Sequence, residues 1–448
     1  MSYDYDLFVI GAGPAGTAAS KQAAACGARV AVAEQEAIGG TCVNRGCVPK
    51  KFIVYAADFA LQERSASSYG WSECQRHFDW QRFMTAVHQQ VEQRQQSFEQ
   101  SFQKAGIQLF RGHATLVDPH TVEINNSKYT ADRILIAVGG KPQKPKIPGV
   151  EHGITSREMF QLPQLPKKLA IVGGGYIGVE FSSMMNAFGV EVTLIETGEV
   201  VLSGFDDDVR SAVQDGLSQR GIQFFCNTTA KEIKPNSEGL EIILSGDRTS
   251  TITADTLLIA TGRKPNTNDL GLENAGVELN EKGAIKVDDR YCTTQENIYA
   301  VGDCVSKLQL TPVARTQGRI IAQTLFSDRS PNINYDYVPS AVFSRPEAAS
   351  VGMSEAKARE KFGESVQCFR TQFEPLFYSM TNQKEQAMMK VVVDGKSDRV
   401  LGAHMVGEHA ADIIQSLAVA IKQGITQQDL VATMGIHPTT GEEFLLLD

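Results

Sequence analysis

Short apolar runs, separated by glycine-rich turns and helical stretches, organise the first half of the chain, and one arrangement of them occurs twice. The first copy has strand-like runs at residues 6–10 and 30–33, joined by a glycine-rich turn and an alanine-rich helical stretch. The second copy has the same order, with strand-like runs at residues 169–172 and 191–195. Apolar runs of this length, alternating with helical patterns, predict βαβ units with buried parallel strands.

Each copy carries the glycine pattern of a dinucleotide-binding turn and an acid after its second strand. The first glycine permits a tight turn, the second lets the backbone approach a pyrophosphate, and the third lets the helix pack closely on the strand. The acid accepts hydrogen bonds from ribose hydroxyls. The residues are Gly11, Gly13, Gly16 and Glu34 in the first copy and Gly173, Gly175, Gly178 and Glu196 in the second. One such pattern alone is weak evidence for a dinucleotide site, whereas two complete copies predict two such sites.

The second half of the chain changes in character. Residues 133–140 and 256–262 each follow one of the units and predict a buried strand that ends in a glycine turn. From about Tyr335 onward, strand-like pieces at 340–343 and 388–393 and a helical piece at 410–422 occur without a glycine motif. We therefore expect an α/β protein with a third, α+β domain at its C-terminal end.

Charge and composition exclude several classes of function. The 448-residue chain has a formal net charge of -9 and no Lys/Arg-rich run, so a nucleic-acid partner is not expected. No apolar stretch approaches the roughly 18 residues that suggest a membrane span, and no secretory signal precedes the first strand, so we expect a cytoplasmic protein that does not enter the membrane. The eight cysteines are too sparse for a disulfide scaffold and lack zinc-site spacing, so no metal is expected.

A closely spaced cysteine pair lies just beyond the first nucleotide unit, in the sequence GGTCVNRGCVPKK. Cys42 and Cys47 are separated by five positions, which places them about 140° apart on a regular helix, so a bond between them needs a distortion. The neighbouring glycines supply the necessary freedom. A helix start here would lower the thiol pKa values and favour thiolates. The alternative is a pair of cysteines with ordinary packing.

This segment closely resembles the redox-active segment of the pyridine-nucleotide disulfide oxidoreductases, and within that family it is most similar to the glutathione reductases, including their plant and cyanobacterial branch. The resemblance covers essentially the whole chain and includes AVGD at 300–303, LTPVA at 310–314 and GIHPT at 435–439. It implies two Rossmann-like dinucleotide-binding domains plus a C-terminal dimerisation domain. The expected limits are 1–140 for the FAD domain, 141–266 for the NAD(P) domain, 267–335 for the part completing the FAD domain, and 336–448 for the interface domain.

The resemblance implies a role for each of these motifs. Hydride would pass from the nicotinamide to the flavin, and electrons would then reach the Cys42–Cys47 disulfide, with Cys47 as the thiolate facing the flavin and Cys42 as the exposed thiol that attacks the substrate. Lys50 would pair with Glu180 beside the flavin. The implied FAD residues are Gly11, Gly13, Gly16, Glu34, Gly40, Thr41, Asp303 and Thr311. The implied nicotinamide-nucleotide residues are Gly173, Gly175, Tyr176, Gly178, Glu196 and Arg263.

A histidine that precedes a proline more often has a structural role. A dithiol centre, however, requires a group that accepts and donates a proton near neutral pH, and His437 suits that task. Glu442 would orient and charge its ring. In the family this pair comes from the other subunit, so the resemblance implies a homodimer with shared active sites.

Departures from the family bear on the nucleotide and the substrate. Residues 195–206 contain no Arg or Lys but carry Glu196 and Glu199, and the motif ends in Gly178, so NADH is expected in preference to NADPH. A basic residue donated from elsewhere would reverse this expectation.

In the disulfide pocket, Lys21 and Arg319 suit a carboxylate-bearing disulfide, and Phe98 takes the place of a tyrosine. Glutathione disulfide, or a similar small disulfide, is therefore the expected substrate. Dihydrolipoamide dehydrogenase is the nearest alternative, a flavoprotein NADH oxidase or redox sensor is more remote, and a non-enzymatic role is the remotest. Mercuric reductase and high-molecular-weight thioredoxin reductase are disfavoured because a C-terminal cysteine pair is missing.

Overall fold

The structure is a computed structural model that describes residues 3–72, 77–305, 308–327, 329 and 333–447. The helices are α1 Pro14–Ala25, α2 Gly40–Arg45, α3 Cys47–Ala66, α4 Trp80–Lys104, α5 Ser156–Met159, α6 Tyr176–Ala187, α7 Asp207–Gln219, α8 Thr311–Phe326, α9 Glu355–Phe362, α10 Ala410–Gln423 and α11 Gln427–Val431. The strands are β1 Tyr5–Ile10, β2 Val30–Glu34, β3 Gln108–Arg111, β4 Ala114–Asp118, β5 Thr121–Ile124, β6 Ser127–Ile136, β7 Gly140–Pro142, β8 Lys168–Val172, β9 Glu191–Ile195, β10 Gln223–Phe225, β11 Thr228–Asn236, β12 Gly239–Gly246, β13 Thr251–Ala254, β14 Thr256–Ile259, β15 Arg263–Pro265, β16 Ile298–Ala300, β17 Ser340–Val342, β18 Ala348–Gly352, β19 Val366–Phe373, β20 Ala387–Asp394 and β21 Arg399–Val406.

The chain divides into two compact units. The first unit consists of Met1–Phe52, Gln81–Gln143 and Gly262–Ile333, and the second consists of Ile53–Trp80, Lys144–Thr261 and Asn334–Asp448. Each unit therefore contains one of the two predicted nucleotide-binding segments. The four domain limits given above remain a prediction.

The first unit is built on a mainly parallel sheet with the strand order β3-β2-β1-β6-β5-β4, and β16 also pairs with β6. Strand β1 pairs in parallel with β2 and with β6, which is the predicted Rossmann-like arrangement. These central strands are buried on both faces because helices α1 and α8 cover one side and the β4–β6 meander packs on the other. The glycine turn after β1 therefore lies at the carboxyl edge of the sheet, where α/β proteins bind nucleotides.

The second unit contains the other nucleotide-binding sheet, with the parallel strand order β10-β9-β8-β14. An antiparallel sheet of β11, β12 and β13 follows β10 directly in the sequence, and its apolar face shares a core with β8, β9 and β14. This arrangement brings the turn between β12 and β13 near the carboxyl end of β10.

The C-terminal part of the second unit is an antiparallel sheet with the order β17-β18-β21-β20-β19, and α10 packs on it. The predicted strands at 340–343 and 388–393 and the helix at 410–422 correspond to β17, β20 and α10, so the α+β character of this region is confirmed. Among the residues that the structure describes, no helix combines the length and apolarity needed to cross a membrane.

Candidate active site

The glycine turn between β1 and α1 has the close packing that a dinucleotide site requires. A Cβ atom on Gly16 would lie 1.9 Å from the carbonyl oxygen of Gly11, so the helix can approach the strand only with glycine at this position. Gly13 precedes α1 and provides no side-chain cap, which leaves the first backbone N–H groups of the helix to bind an anion. The carboxylate of Glu34 accepts hydrogen bonds from the backbone N–H groups of Ala12 at 2.8 Å and Glu36 at 2.9 Å. These features fit the pyrophosphate and ribose of FAD.

The cysteine segment lies against this turn. A Cβ atom on Gly40, where α2 begins, would lie 2.8 Å from the Cα atom of Gly13. Gly46 then separates α2 from α3, and a Cβ atom there would lie 2.8 Å from the carbonyl oxygen of Thr41. The predicted distortion is therefore a break in the helix at Gly46. Cys42 lies inside α2, and Cys47 is the first residue of α3, as expected for a thiol at a helix start.

The side chain of Asn44 holds this segment in place, which the sequence analysis did not foresee. Its amide nitrogen donates to the carbonyl oxygens of Ala37 at 3.0 Å, Ile38 at 3.2 Å and Gly40 at 2.9 Å. Its amide oxygen accepts a hydrogen bond from Gln95 on α4 at 2.7 Å. The sequence shows only that an asparagine lies between the two cysteines. Its hydrogen-bond partners could not be predicted, because they depend on the fold.

The two cysteine side chains are not joined by a disulfide in this structure, and they lie close enough to hydrogen bond. The hydrogen bond that the Cys42 thiol donates to Cys47, together with burial and the negative charge of Cys47, raises the pKa of Cys42, while Thr311 and Lys50 lower it to a smaller extent. These effects favour the protonated form of Cys42 beside a negatively charged Cys47. The thiolate role of Cys47 stays a prediction.

The two cysteines differ in exposure. Cys42 is half-buried within α2, and Cys47, at the start of α3, is exposed. The expected roles, with Cys47 facing the flavin and Cys42 attacking the substrate, stay predictions.

The start of α8 lies next to the cysteine pair. Thr311 is the first residue of α8, and its hydroxyl lies 3.4 Å from the sulfur of Cys47. Helix α8 also packs tightly against α1, because a Cβ atom on Gly318 would lie 2.1 Å from the carbonyl oxygen of Ala15. The positive end of α8 therefore lies near the sulfur, where it favours a thiolate.

Two further residues implied by the family resemblance are in contact in the first unit. The guanidinium of Arg263 donates to the carbonyl oxygen of Gly140 at 2.7 Å and to the carboxylate of Asp303 at 3.3 Å. Asp303 thus lies beside the strand pair β7–β15, as a ribityl-binding residue can. The described partners of Arg263 belong to the expected FAD side, so its contact with the nicotinamide nucleotide stays a prediction.

The second glycine turn repeats the geometry of the first. A Cβ atom on Gly178 would lie 2.0 Å from the carbonyl oxygen of Gly173, so an alanine could not fit here without a shift of the backbone. The carboxylate of Glu196 accepts hydrogen bonds from the backbone N–H groups of Gly174 and, at 2.8 Å, Gly198. Tyr176, the first residue of α6 after Gly175, is 43% exposed and so can cover a bound nicotinamide.

The first cation that follows Glu196 in the sequence is already committed to other contacts. The guanidinium of Arg210 on α7 donates to the carbonyl oxygens of Val200 at 2.8 Å and Val201 at 3.0 Å. It also pairs with Asp207 at 2.8 Å. Arg210 therefore holds the loop after Glu196 in place and is not directed toward a nucleotide phosphate.

Of the expected substrate residues, the structure brings Lys21 and Phe98 together. The ammonium of Lys21 lies 5.2 Å from the centroid of the Phe98 ring, which is a cation–π distance. Burial lowers the pKa of Lys21. Arg319 is exposed on α8, and its expected contact with a substrate carboxylate stays a prediction.

The expected acid–base pair is formed within one chain. The Nδ1 atom of His437 lies 3.0 Å from a carboxylate oxygen of Glu442, and the same oxygen accepts a hydrogen bond from the backbone N–H of Thr439 at 3.0 Å. The side chain of His437 is 83% exposed, whereas that of Glu442 is 15% exposed. The arrangement leaves the other ring nitrogen, Nε2, directed away from the carboxylate, where it can exchange a proton.

Glu180 is buried on α6, and its carboxylate accepts a hydrogen bond from the backbone N–H of Phe343 at 2.9 Å. Its expected pairing with Lys50 stays a prediction.

Comparisons with known proteins agree with this geometry. Residues 5–318 match the family model described as pyridine nucleotide-disulphide oxidoreductase, and residues 338–447 match the dimerisation domain of the same family. The chain therefore belongs to the pyridine nucleotide-disulphide oxidoreductase family. This membership confirms the predicted fold class, and it implies FAD and a pyridine-nucleotide cosubstrate.

Particular relatives are similar over the full chain. A glutathione reductase of a Nostoc species is 48% identical over 458 residues, which cover 100% of both chains. A glutathione reductase of Burkholderia cepacia is 41% identical, with 100% of this chain and 99% of the relative covered. A chloroplastic/mitochondrial glutathione reductase of Pisum sativum is 38% identical, with 99% and 82% covered. The predicted similarity to glutathione reductases of the plant and cyanobacterial branch is confirmed.

Proposed function

We propose that the protein is an FAD-dependent disulfide reductase that uses NADH in preference to NADPH and reduces glutathione disulfide. The observation that carries this proposal is the cysteine pair itself, which lies against the first nucleotide turn and beside the start of α8. The full-length similarity to glutathione reductases supports glutathione disulfide over lipoamide as the substrate.

FAD, when bound, would supply the electron pair that a reduced nicotinamide delivers, and with two protons this pair opens the Cys42–Cys47 disulfide to a dithiol. His437, supplied by the other subunit of a homodimer, removes the proton of the Cys42 thiol. The resulting thiolate attacks one sulfur of glutathione disulfide, forming a mixed disulfide and releasing one glutathione thiolate. His437 then gives the proton to that leaving thiolate. Cys47 next attacks the Cys42 sulfur, which restores the intramolecular disulfide and releases the second glutathione.

The nucleotide preference rests on Glu196. Its carboxylate is fixed by backbone N–H groups at the position where a ribose hydroxyl would bind, and a 2′-phosphate there would meet like charge. Glu196→Ala should lower the ratio of kcat/KM for NADH to that for NADPH by about tenfold or more, because it removes both a hydrogen-bond acceptor and a repulsive charge. Glu199→Ala, in the same loop, is the matched control. An unchanged ratio in Glu196→Ala would contradict this assignment.

The disulfide chemistry is tested by counting thiols in the FAD-loaded protein under anaerobic conditions. Addition of NADH should expose the thiols of Cys42 and Cys47 to a thiol reagent, and addition of glutathione disulfide should remove them again. Cys42→Ser and Cys47→Ser should each abolish the cycle. Flavin reduction without new thiols would instead indicate a flavoprotein oxidase.

A further inference from the structure

A hairpin distant in sequence contacts the nucleotide-binding loop of the second unit. Strand β10 pairs in parallel with β9, and the carbonyl oxygen of Phe225, its last residue, accepts a hydrogen bond from the backbone N–H of Glu196 at 2.9 Å. The residues just after β10 therefore lie beside the carboxylate that is proposed to bind the adenosine ribose.

Asn227 joins the hairpin to this loop. Its backbone N–H donates to the carbonyl oxygen of Gly198 at 3.0 Å, next to Glu196 in the loop. Its carbonyl oxygen accepts a hydrogen bond from the backbone N–H of Asp247 at 3.1 Å, and its side-chain amide donates to the Asp247 carboxylate at 3.0 Å. The turn between β12 and β13 is thus fixed on the same side of the sheet as the loop.

Arg248 follows Asp247 in this turn. Its guanidinium carbon lies 5.0 Å from the centroid of the Phe225 ring, and the residue is exposed. This separation is a cation–π distance. Because a guanidinium has five N–H donors in a planar fork, it can contact a ring and still bind a phosphate through two parallel hydrogen bonds. Cys226, which follows Phe225 in the sequence, has a raised pKa because of burial and of the negative charge of Glu196. The electrostatic effect of the Glu196 carboxylate therefore extends to the end of β10.

We propose that Arg248 is a specificity residue of the second nucleotide site, where it binds the 2′-phosphate of NADPH. The inference rests on the proposed function, because it assumes that the nucleotide binds at the second glycine turn. Glu196 disfavours the phosphate, and Arg248 partly offsets that effect. Arg248 therefore determines how much NADPH the protein accepts beside NADH.

Two small probes isolate this contact, because 2′,5′-ADP and 5′-AMP differ only in the 2′-phosphate. Their dissociation constants are measured by calorimetry on the oxidised, FAD-loaded protein in a phosphate-free buffer. Arg248→Ala should weaken 2′,5′-ADP about tenfold, the size of one charge-assisted phosphate contact, and change 5′-AMP less than about twofold. Arg248→Lys should retain part of the preference for 2′,5′-ADP over 5′-AMP, because lysine keeps the positive charge but lacks the planar guanidinium.

Lys234→Ala is the matched control, since it removes an exposed positive charge from β11 in the same sheet. It should leave the affinities for both probes unchanged. Raising the ionic strength should weaken 2′,5′-ADP binding more in the parent protein than in Arg248→Ala. An equal loss for both probes in Arg248→Ala, no loss for either, or failure of both probes to bind the parent protein would overturn the proposal.

The result does not depend on disulfide turnover. If the protein binds the probes as expected but fails to reduce glutathione disulfide, the proposed substrate is wrong while the role of Arg248 stands. If the protein reduces glutathione disulfide while Arg248→Ala leaves the ratio of the two dissociation constants unchanged, the proposed role of Arg248 is wrong while the proposed substrate stands.

Discussion

The hydroxyl of Thr311 lies 3.4 Å from the sulfur of Cys47, although the two residues are 264 positions apart in the sequence. This contact places the first turn of α8 beside the cysteine pair. A helix start supplies unpaired N–H groups and a positive dipole end, and both stabilise a thiolate. Thr311 therefore serves the dithiol as well as the flavin position that the family resemblance implies.

Removing the Thr311 hydroxyl should make Cys42 less reactive. A hydrogen bond from Thr311 lowers the pKa of Cys42 against the larger effects that raise it, so Thr311→Ala should raise that pKa further. Alkylation of Cys42 in the reduced protein near neutral pH should slow by roughly threefold to tenfold, the value of one such hydrogen bond. Mass spectrometry of the labelled peptide measures the rate, and Thr311→Ser is the control because it keeps the hydroxyl. Equal rates in Thr311→Ala and the parent protein would refute the assignment.

His437 should be needed for the disulfide half of the reaction and not for the flavin half. His437→Ala should lower turnover of glutathione disulfide by about 10²–10⁴-fold, the usual contribution of an acid–base group, while NADH still reduces the flavin at the parent rate. Stopped-flow absorbance separates the two steps. Glu442→Gln should cause a smaller fall because it keeps a hydrogen-bond acceptor near the ring, and Glu443→Gln should match the parent protein. Equal losses in both half-reactions of His437→Ala would indicate a structural role.

Lys21 should contribute to binding a charged disulfide. Its ammonium is partly buried and lies over the Phe98 ring, and we expect it to bind an anionic group of the substrate there. Lys21→Ala should raise the KM for glutathione disulfide by about fivefold, the value of a partly exposed ion pair, with little change in kcat. Lys104→Ala, which removes an exposed charge at the end of α4, is the control. A change of the same size in Lys104→Ala would show that net charge alone is responsible.

A buried ionic cluster stabilises the second unit. The ammonium of Lys390 on β20 lies 2.8 Å from Asp206, 2.6 Å from Asp208 and 2.8 Å from Glu355. The side chains of Lys390 and Asp206 are 2% and 1% exposed. Asp206 also caps α7, immediately after the nucleotide-binding loop, so the cluster fixes the end of that loop.

Lys390→Met should therefore be strongly destabilising, because it leaves the carboxylate of Asp206 buried without its counter-ion. The free energy of unfolding should fall by about 3–5 kcal/mol, as for the removal of one partner from a buried pair. Urea unfolding of the holoprotein measures the change. Lys361→Ala, an exposed charge on α9, should have almost no effect. A stability equal to that of the parent protein would show that the cluster contributes no net energy.

The same cluster predicts a dependence of stability on pH. Burial raises the pKa of Glu355, but hydrogen bonds from Lys390 and Arg359 outweigh this effect and lower it to about 2, against 4.5 in the unfolded chain. A carboxylate whose pKa is lowered by folding stabilises the folded state at pH values above the pKa that it has in the unfolded chain. This contribution is lost as the pH falls toward the pKa of the folded state. Unfolding temperatures should therefore decrease from about pH 4.5 toward pH 2, less steeply in Lys390→Met. Parallel pH curves would contradict this prediction.

The parts of the site that could be predicted are local in sequence. Gly11, Gly16 and Glu34 lie within one βαβ unit, and the strand, turn and helix patterns around them leave little freedom of arrangement. Cys42 and Cys47 share one segment, and Gly46 between them marks the break that the helix geometry requires. The motif spacings therefore carried most of the information about both nucleotide sites and the redox pair.

The parts that could not be predicted depend on contacts between distant segments. Lys390 meets Asp206 across 184 positions, and Arg248 meets Phe225 at the end of β10 only because the turn between β12 and β13 packs there. Nothing in the local sequence distinguishes these cations from solvated surface charges.

The most direct test of the central claim is the rate at which the FAD-loaded protein oxidises NADH and NADPH in the presence of glutathione disulfide. The account predicts rapid turnover that requires the disulfide, a higher kcat/KM with NADH than with NADPH, and loss of turnover in Cys42→Ser. Flavin reduction without turnover of glutathione disulfide, or a preference for NADPH, would contradict it.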